Sequence, residues 1–358
     1  MNWRQLAAIY FTHQFLIALA SYLANIFFSN QFAPHQISAI LIQGLNQWDA
    51  GWYTRIAQHG YDGQAAAFFP LYPLLIHLLY RLGLPATVAG ILISNLSLAG
   101  ILYLFFRLAA LDYDRRTAVK GTWYLGLFPT SFFLSAVYTE SLYLLLALLT
   151  FFFLRRRRWA AAGACGLLAA ATRNVGVFLA LPALWEYRQA TGGKISKELF
   201  FVAAIPLGLL FFMAYLKVKL GNPLAFWTAQ HFWERDFAWP WESLAQAARH
   251  LWERRSFSNT LVDLFFTSLA VVLFLLSLGK ERPSYCLFTL AGILVPLSSP
   301  ASSMPLLSMP RFTMVLFPIY LTMARLVKSE EAHLFVLATS AALLFFFHML
   351  FAHGCWVA

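Results

Sequence analysis

The stretch WDAGWYTRIAQHGY, Trp48–Tyr61, sets one carboxylate, Asp49, between two tryptophans in one of the few polar segments of an apolar chain. A carboxylate there has two uses. As a helix N-cap it accepts backbone N–H bonds, a role Asp fills well. As a general base it takes the proton of an attacking hydroxyl. Spacing alone leaves both open. Trp48, Trp52, Arg55 and Ile56 recur at helical intervals, so part of the stretch is expected to be an amphipathic helix at a lipid interface. Trp and Tyr anchor at headgroup level in membrane proteins, and Trp52 or Tyr53 taken alone reads that way.

Other chemistry-bearing residues follow. FPTSFFLSAVYTESLYLLL (128–146) puts Tyr138, Thr139, Glu140 and Ser141 at a turn between apolar runs, and AATRNVGVFLALP (170–182) puts Arg173 and Asn174 at the next. Charges between short apolar helices need a partner or a wet cavity. A structural Glu140–Arg173 pair and a shared outward cavity both satisfy that. GNPLAFWTAQHFWERDF (221–237) adds Gln230, His231, Glu234, Arg235 and Asp236, and SMPRF (308–312) adds Arg311. A lone loop His is usually solvated, and a lone Arg at a span mouth usually snorkels.

A sugar joined through phosphate to a polyprenol fits such a membrane-face cavity. The phosphate leaves as a stable anion, so no general acid is needed. Cations must hold its charge, and Arg311, Arg173 and Arg235 are candidates. The acceptor hydroxyl needs one base, for which Asp49 is placed. In-line displacement inverts the anomeric centre. The scheme calls for no metal, and the sequence holds no carboxylate cluster that argues for one.

The elements that position these residues are membrane helices. The 358 residues are 60% hydrophobic and only 11% charged, with mean hydropathy +0.65. Soluble domains carry about 25% charged residues, so the chain is read as a polytopic membrane protein. Candidate spans are 6–28, 88–110, 199–219, 260–278 and 332–352. Shorter ones are 121–134 with 139–154, 160–173 with 174–187, and 284–297 with 311–327, giving eleven. The run 6–28 is read as a retained span, not a signal peptide. With the N-terminus in the cytoplasm, 16 Lys/Arg fall inside and 10 outside, which favours this orientation for the net +11 chain. The segment 67–83, with Pro70, Pro73, His77 and Arg81, is expected to lie on the outer surface. Outer loops then cover 29–87, 220–259 and 298–311 of one polytopic domain. Mid-span regions are read as nearly free of ionisable groups, unlike a proton-coupled transporter. Cys165, Cys286 and Cys355 are too far apart to suggest a metal site or disulfide framework.

Six stretches in order carry a resemblance: WDAGWYTRIAQHGY, AFFPLYPLL, LFPTSFFLSAVYTESLYLLL, ATRNVGVFLALP, GNPLAFWTAQHFW and SMPRFTMVLFPIYL, over about 46–320. The chain resembles the PIG-V family, the GPI mannosyltransferase II type among the polytopic GT-C glycosyltransferases, in a prokaryotic form at the cytoplasmic membrane. The resemblance implies an all-α GT-C fold and polyprenyl- or dolichyl-phosphate mannose as donor. It implies a lipid or glycan acceptor and Asp49 as the functional acid of the first outer loop; no nucleic-acid partner is expected, because the basic residues sit beside apolar runs and read as orienting the spans. Trp48, Trp52, Tyr53, Arg55, Tyr72, Tyr138, Glu140, Arg173, Asn174, Gln230, His231, Arg235 and Arg311 are the substrate-binding candidates. Other readings are transfer of a different sugar, a lipid-linked sugar flippase, and a non-catalytic scaffold. The flippase needs two-sided access, and polar residues gathered at one face argue against it.

Overall fold

The computed structural model describes residues 1–28, 36–254 and 257–357. Residues 29–35 and 255–256, which fall in the two long loops expected above, lie outside the described residues. In chain order the helices are α1 (Trp3–Phe28), α2 (Ile37–Gly44), α3 (Ala50–His59), α4 (Leu71–Arg81), α5 (Ala86–Ala109), α6 (Arg115–Gly126), α7 (Glu140–Arg155), α8 (Trp159–Ala170) and α9 (Ala180–Thr191). Then come α10 (Glu198–Ala203), α11 (Leu207–Leu220), α12 (Ala225–Thr228), α13 (Pro240–Trp252), α14 (Phe257–Ser277), α15 (Pro283–Leu297), α16 (Met309–Met314), α17 (Pro318–Leu326) and α18 (Glu330–Ala352). Among the described residues the only extended pairing is an isolated bridge between Arg235 and Ala301. The protein is all-helical.

Among the described residues four helices are long and apolar enough to cross a bilayer: α1, α5, α14 and α18. A fifth span exists if α11 and Ala225–Trp233, bent by 85°, count as one. The expected span at 199–219 is two helices, interrupted at 204–206. Pro206 stands at the break, where it cannot donate a helical hydrogen bond. The 67–83 segment holds α4, whose 11 residues are too few to cross a hydrocarbon core of about 30 Å.

The described residues form two compact units. The first comprises Met1–Gly60, Tyr72–Leu148 and Met323–Val357. Here α1 packs on α18 and α5 on α6. A buried polar network crosses this unit. The His13 imidazole meets Gly126 O at 2.8 Å and Ser135 Oγ at 3.0 Å. Gln14 donates to Asn95 Oδ1 at 2.6 Å, and Ser21 Oγ meets His348 Nε2 at 2.8 Å. In the second unit, which includes Tyr61–Leu71 and Leu149–Thr322, helices approach through glycines. A Cβ on Gly163 would stand 2.2 Å from Phe201 O, and one on Gly208 2.1 Å from Leu167 O. Such small residues let membrane helices meet backbone to backbone.

The mid-span regions are less bare than expected. Asp263 lies inside α14 and is only 3% exposed, while His13 and His348 are fully buried in α1 and α18. Single ionisable residues in runs of over twenty apolar ones are diluted when hydropathy is averaged over a window. Burial with hydrogen-bonding partners is what makes such residues tolerable, as the His13 and His348 contacts show.

Candidate functional site

The candidate residues gather in two clusters, one in each unit. In the first unit α3 starts at Ala50, and Asp49 occupies its N-cap position. Its side chain makes no capping hydrogen bond. The same protein shows what a capping Asp does: at α6, Asp114 Oδ1 accepts Arg116 N–H at 2.8 Å and Thr117 N–H at 3.1 Å. The Thr117 hydroxyl and amide hold the Asp114 carboxyl below the usual carboxylate range. The backbone at Asp49 is held by Tyr138. The Tyr138 phenol accepts the Asp49 N–H at 3.2 Å and donates to Gln47 O at 3.1 Å. Between these two contacts Trp48 adopts φ 54°, a left-handed conformation costly for a bulky residue. Val137 N–H donates to Leu45 O at 3.1 Å, and Gln47 Nε2 to Ala352 O at 3.3 Å. The turn ahead of α7 therefore grips the 45–49 loop.

Tyr138 and Thr139 lie in the bend that leads into α7, Glu140 is the first residue of that helix, and all three are buried. Thr139 Oγ1 meets the Tyr53 hydroxyl at 3.3 Å and donates to Glu140 Oε2 at 3.4 Å. Tyr53 packs edge-on against Tyr72 at 5.3 Å and Tyr138 at 6.4 Å. The buried Tyr72 hydroxyl donates to Gly90 O at 3.0 Å and meets Ser94 Oγ at 2.8 Å, so its polar end faces α5. Arg55 is exposed, with its guanidinium 5.4 Å from the Trp52 ring. Exposed Trp48 meets Trp356 edge-on at 5.2 Å.

The second cluster is cationic and centres on a residue the sequence reading passed over. The Phe312 ring has the guanidinium carbons of Arg173, Arg311 and Arg235 at 5.4, 5.8 and 5.9 Å. Arg311 is 9% exposed and donates from Nη2 to Ser308 Oγ at 3.3 Å. Arg235 donates to Ser299 O at 3.1 Å and to Leu307 O at 2.9 Å. Around it Asp236 N–H donates to Pro300 O, Ser302 N–H to Glu234 O, and Ser302 Oγ to Glu234 Oε2 at 2.7 Å. Arg235 thus ties the 234–238 loop to the 298–307 loop, and it acts electrostatically on buried Asp263. His231 pairs with Asp236, Nδ1 to Oδ1 at 2.8 Å, but both side chains are exposed, so the pair is weak. Gln230 takes part through its backbone, its carbonyl accepting Arg235 N–H at 3.2 Å. Asn174 is exposed, and its side chain accepts the Val175 N–H.

Asp263 was open to detection as a lone acid in an otherwise apolar run. Phe312 and the Tyr138 clamp carried no such signal, because an aromatic contact and a phenol bridge depend on folded neighbours.

No curated protein matches the chain. The family model described as mannosyltransferase (PIG-V) matches residues 6–181. That segment contains Asp49, Tyr138, Glu140 and Arg173, while Arg235 and Arg311 lie beyond it. The match starts earlier than the six resembling stretches and ends before the last two. Over residues 6–181 the chain is thus similar to the PIG-V mannosyltransferase family, and its long apolar helices are those of a membrane protein, which together support a membrane-embedded glycosyltransferase of that type.

Proposed function

We propose that the protein transfers a mannosyl residue from a polyprenyl-phosphate donor to a lipid-linked or glycan hydroxyl, with Asp49 as general base. The observation that carries this reading is the Asp49 carboxylate. It stands where a cap belongs, makes no capping bond, and sits on a loop fixed by Tyr138. In the proposed step the acceptor oxygen attacks C1 of the sugar and its proton passes to Asp49. The bond from C1 to the phosphate oxygen breaks, and polyprenyl phosphate leaves as the anion. A fixed loop favours this step because a positioned base tolerates little displacement.

Arg311 and Arg173 would hold the donor phosphate, and planar guanidinium groups suit that geometry. Arg235 is better suited to shaping the cluster, because two backbone carbonyls already engage it. We further propose a GT-C arrangement with about eleven crossings, in which pairs of shorter helices complete the count. The N-terminus is then cytoplasmic and Asp49 extracytoplasmic, in the cytoplasmic membrane of a prokaryote. The mechanism uses no metal.

The test is purified full-length protein in nanodiscs, given polyprenyl-phosphate mannose, glucose or galactose and a lipid-glycan acceptor pool. Formation of a mannosyl product with inverted anomeric configuration supports the reading. Transfer of another sugar alone would redirect it, and movement of donor across the bilayer without a glycosidic product would favour the flippase.

A further inference from the structure

α13 carries three distinct stripes. Ser243 and Ala247 are buried, and Ser243 Oγ donates to Leu297 O at 2.5 Å, fixing this side to the end of α15. Glu242, Gln246, Arg249 and Glu253 follow the line at steps of four, three and four, so they share a polar side. Trp241, Ala245, Ala248 and Trp252 follow the same steps along a third side, and all four are exposed. The tryptophans at its two ends are 62% and 90% exposed, and Leu244 adds to the same side. Trp239 stacks in parallel on Trp241 at 5.1 Å, and exposed Phe237 meets Trp239 edge-on at 5.8 Å.

A soluble surface does not leave such a stripe in water. α13 cannot be a span either: its 13 residues cover about 20 Å at 1.5 Å each, less than a hydrocarbon core, and they include three charged or titratable side chains, Glu242, Arg249 and His250. One surface accepts apolar and charged stripes of one helix together, with indoles at the ends: the boundary between lipid headgroups and acyl chains. The chain itself puts that boundary within reach, because Trp252 lies five residues before the start of α14, one of the four helices fit to cross a bilayer.

We propose that α13 is a lipid-docking helix that lies in the bilayer interface, with the Trp241–Ala245–Ala248–Trp252 stripe on the acyl chains and the Glu242–Gln246–Arg249–Glu253 stripe on the headgroups. Its consequence reaches the cation cluster. The N-cap Trp239 follows Arg235 by four residues, and Ala238 N–H donates to Ser298 O at 3.1 Å. The bilayer therefore sets the depth of the loop that ends in Arg235. This inference does not depend on which sugar is transferred or on Asp49.

The test places nitroxides singly at 242, 245, 248, 249 and 252 in full-length protein with Cys165, Cys286 and Cys355 changed to Ser, in nanodiscs of phosphatidylcholine and phosphatidylglycerol. Collision with oxygen reports the acyl region, and collision with a water-soluble nickel chelate reports solvent. The exposed Ala245 and Ala248 carry the decision, since labels there replace small side chains. The expected result is oxygen in excess at 245, 248 and 252 and the chelate in excess at 242 and 249, alternating along the helix. Chelate in excess at 245 and 248 would overturn the proposal by placing the stripe in water. Exclusion of both agents there would overturn it by placing the stripe against protein.

Discussion

The two clusters hold their charged groups by opposite means. In the first unit the functional candidate is an acid held through the main chain. Tyr138 grips the peptide groups on either side of Trp48, and the Asp49 side chain makes no capping bond. In the second unit the cations are held through their side chains. Three guanidiniums flank Phe312, and Arg235 spends donors on two carbonyls. Backbone anchoring keeps a carboxylate in place without a capping bond from its side chain. Side-chain anchoring fixes a positive field at the cost of donors. The base should therefore be intolerant of any change in reach, and the cations should differ in importance according to how many donors the protein already uses.

The largest effect that would sharpen this contrast is at Asp49. Asp49→Glu keeps the charge but moves the carboxylate by one methylene on a loop that does not adjust. Transfer should fall about 10²–10⁴-fold. Initial rates with saturating donor check this, and a rate near that of the parent would show that the loop is not a rigid mount.

Arg311→Lys comes next. It keeps one positive charge but loses the planar fork, so donor binding should weaken on the order of tenfold with the thermal midpoint unchanged. Titration with polyprenyl phosphate reads this directly. Parent-like affinity would mean that Arg311 serves the fold at Ser308 and not the donor.

Tyr138→Phe removes both bonds that flank Trp48 while conserving the aromatic packing. A net loss of about 1 kcal/mol in loop positioning predicts roughly a fivefold fall in kcat with little change in KM. A rise in KM with kcat intact would instead make Tyr138 a substrate contact, as the sequence suggested.

The smallest effect belongs to the loop tie at Glu234. The Ser302 hydroxyl, followed by Ser303, holds the Glu234 carboxyl below its ordinary value. A depressed folded pKa means the tie is present above the unfolded carboxylate pKa of about 4.3 and is lost as pH falls through the lower folded value. Amide exchange at Ser302, corrected for its intrinsic rate, should rise below about pH 4. In Glu234→Gln that acid-dependent rise should vanish. The same profile in both proteins would show that the Glu234 carboxyl does not hold the loops together.

Much of this was legible in the residues. Composition revealed the membrane class, since 11% charged residues cannot cover a soluble surface. Periodicity located α3, and Pro70, Pro73, His77 and Arg81 argued against a full crossing at 67–83, where α4 has only 11 residues. The unbroken span at 199–219 failed because Pro206 sits in a run whose average hydropathy hides a break. Asp49 was singled out by type and setting, with two roles left open; that its side chain makes no capping bond is visible only in the fold. Arg173, Arg235 and Arg311 were found as single residues scattered over more than a hundred positions, and their convergence on Phe312 exists only in the fold. The stripes of α13 were in the sequence as a heptad-like spacing, obscured by a loop otherwise rich in charge.

The most direct measurement compares parent and Asp49→Asn in nanodiscs, reading donor binding and single-turnover transfer on the same samples. Asn caps a helix about as well as Asp but cannot accept the acceptor's proton. The account predicts unchanged donor affinity and thermal midpoint, with transfer reduced by about 10²–10⁴-fold. Turnover by the Asn variant close to that of the parent would contradict it and return Asp49 to a role in the fold.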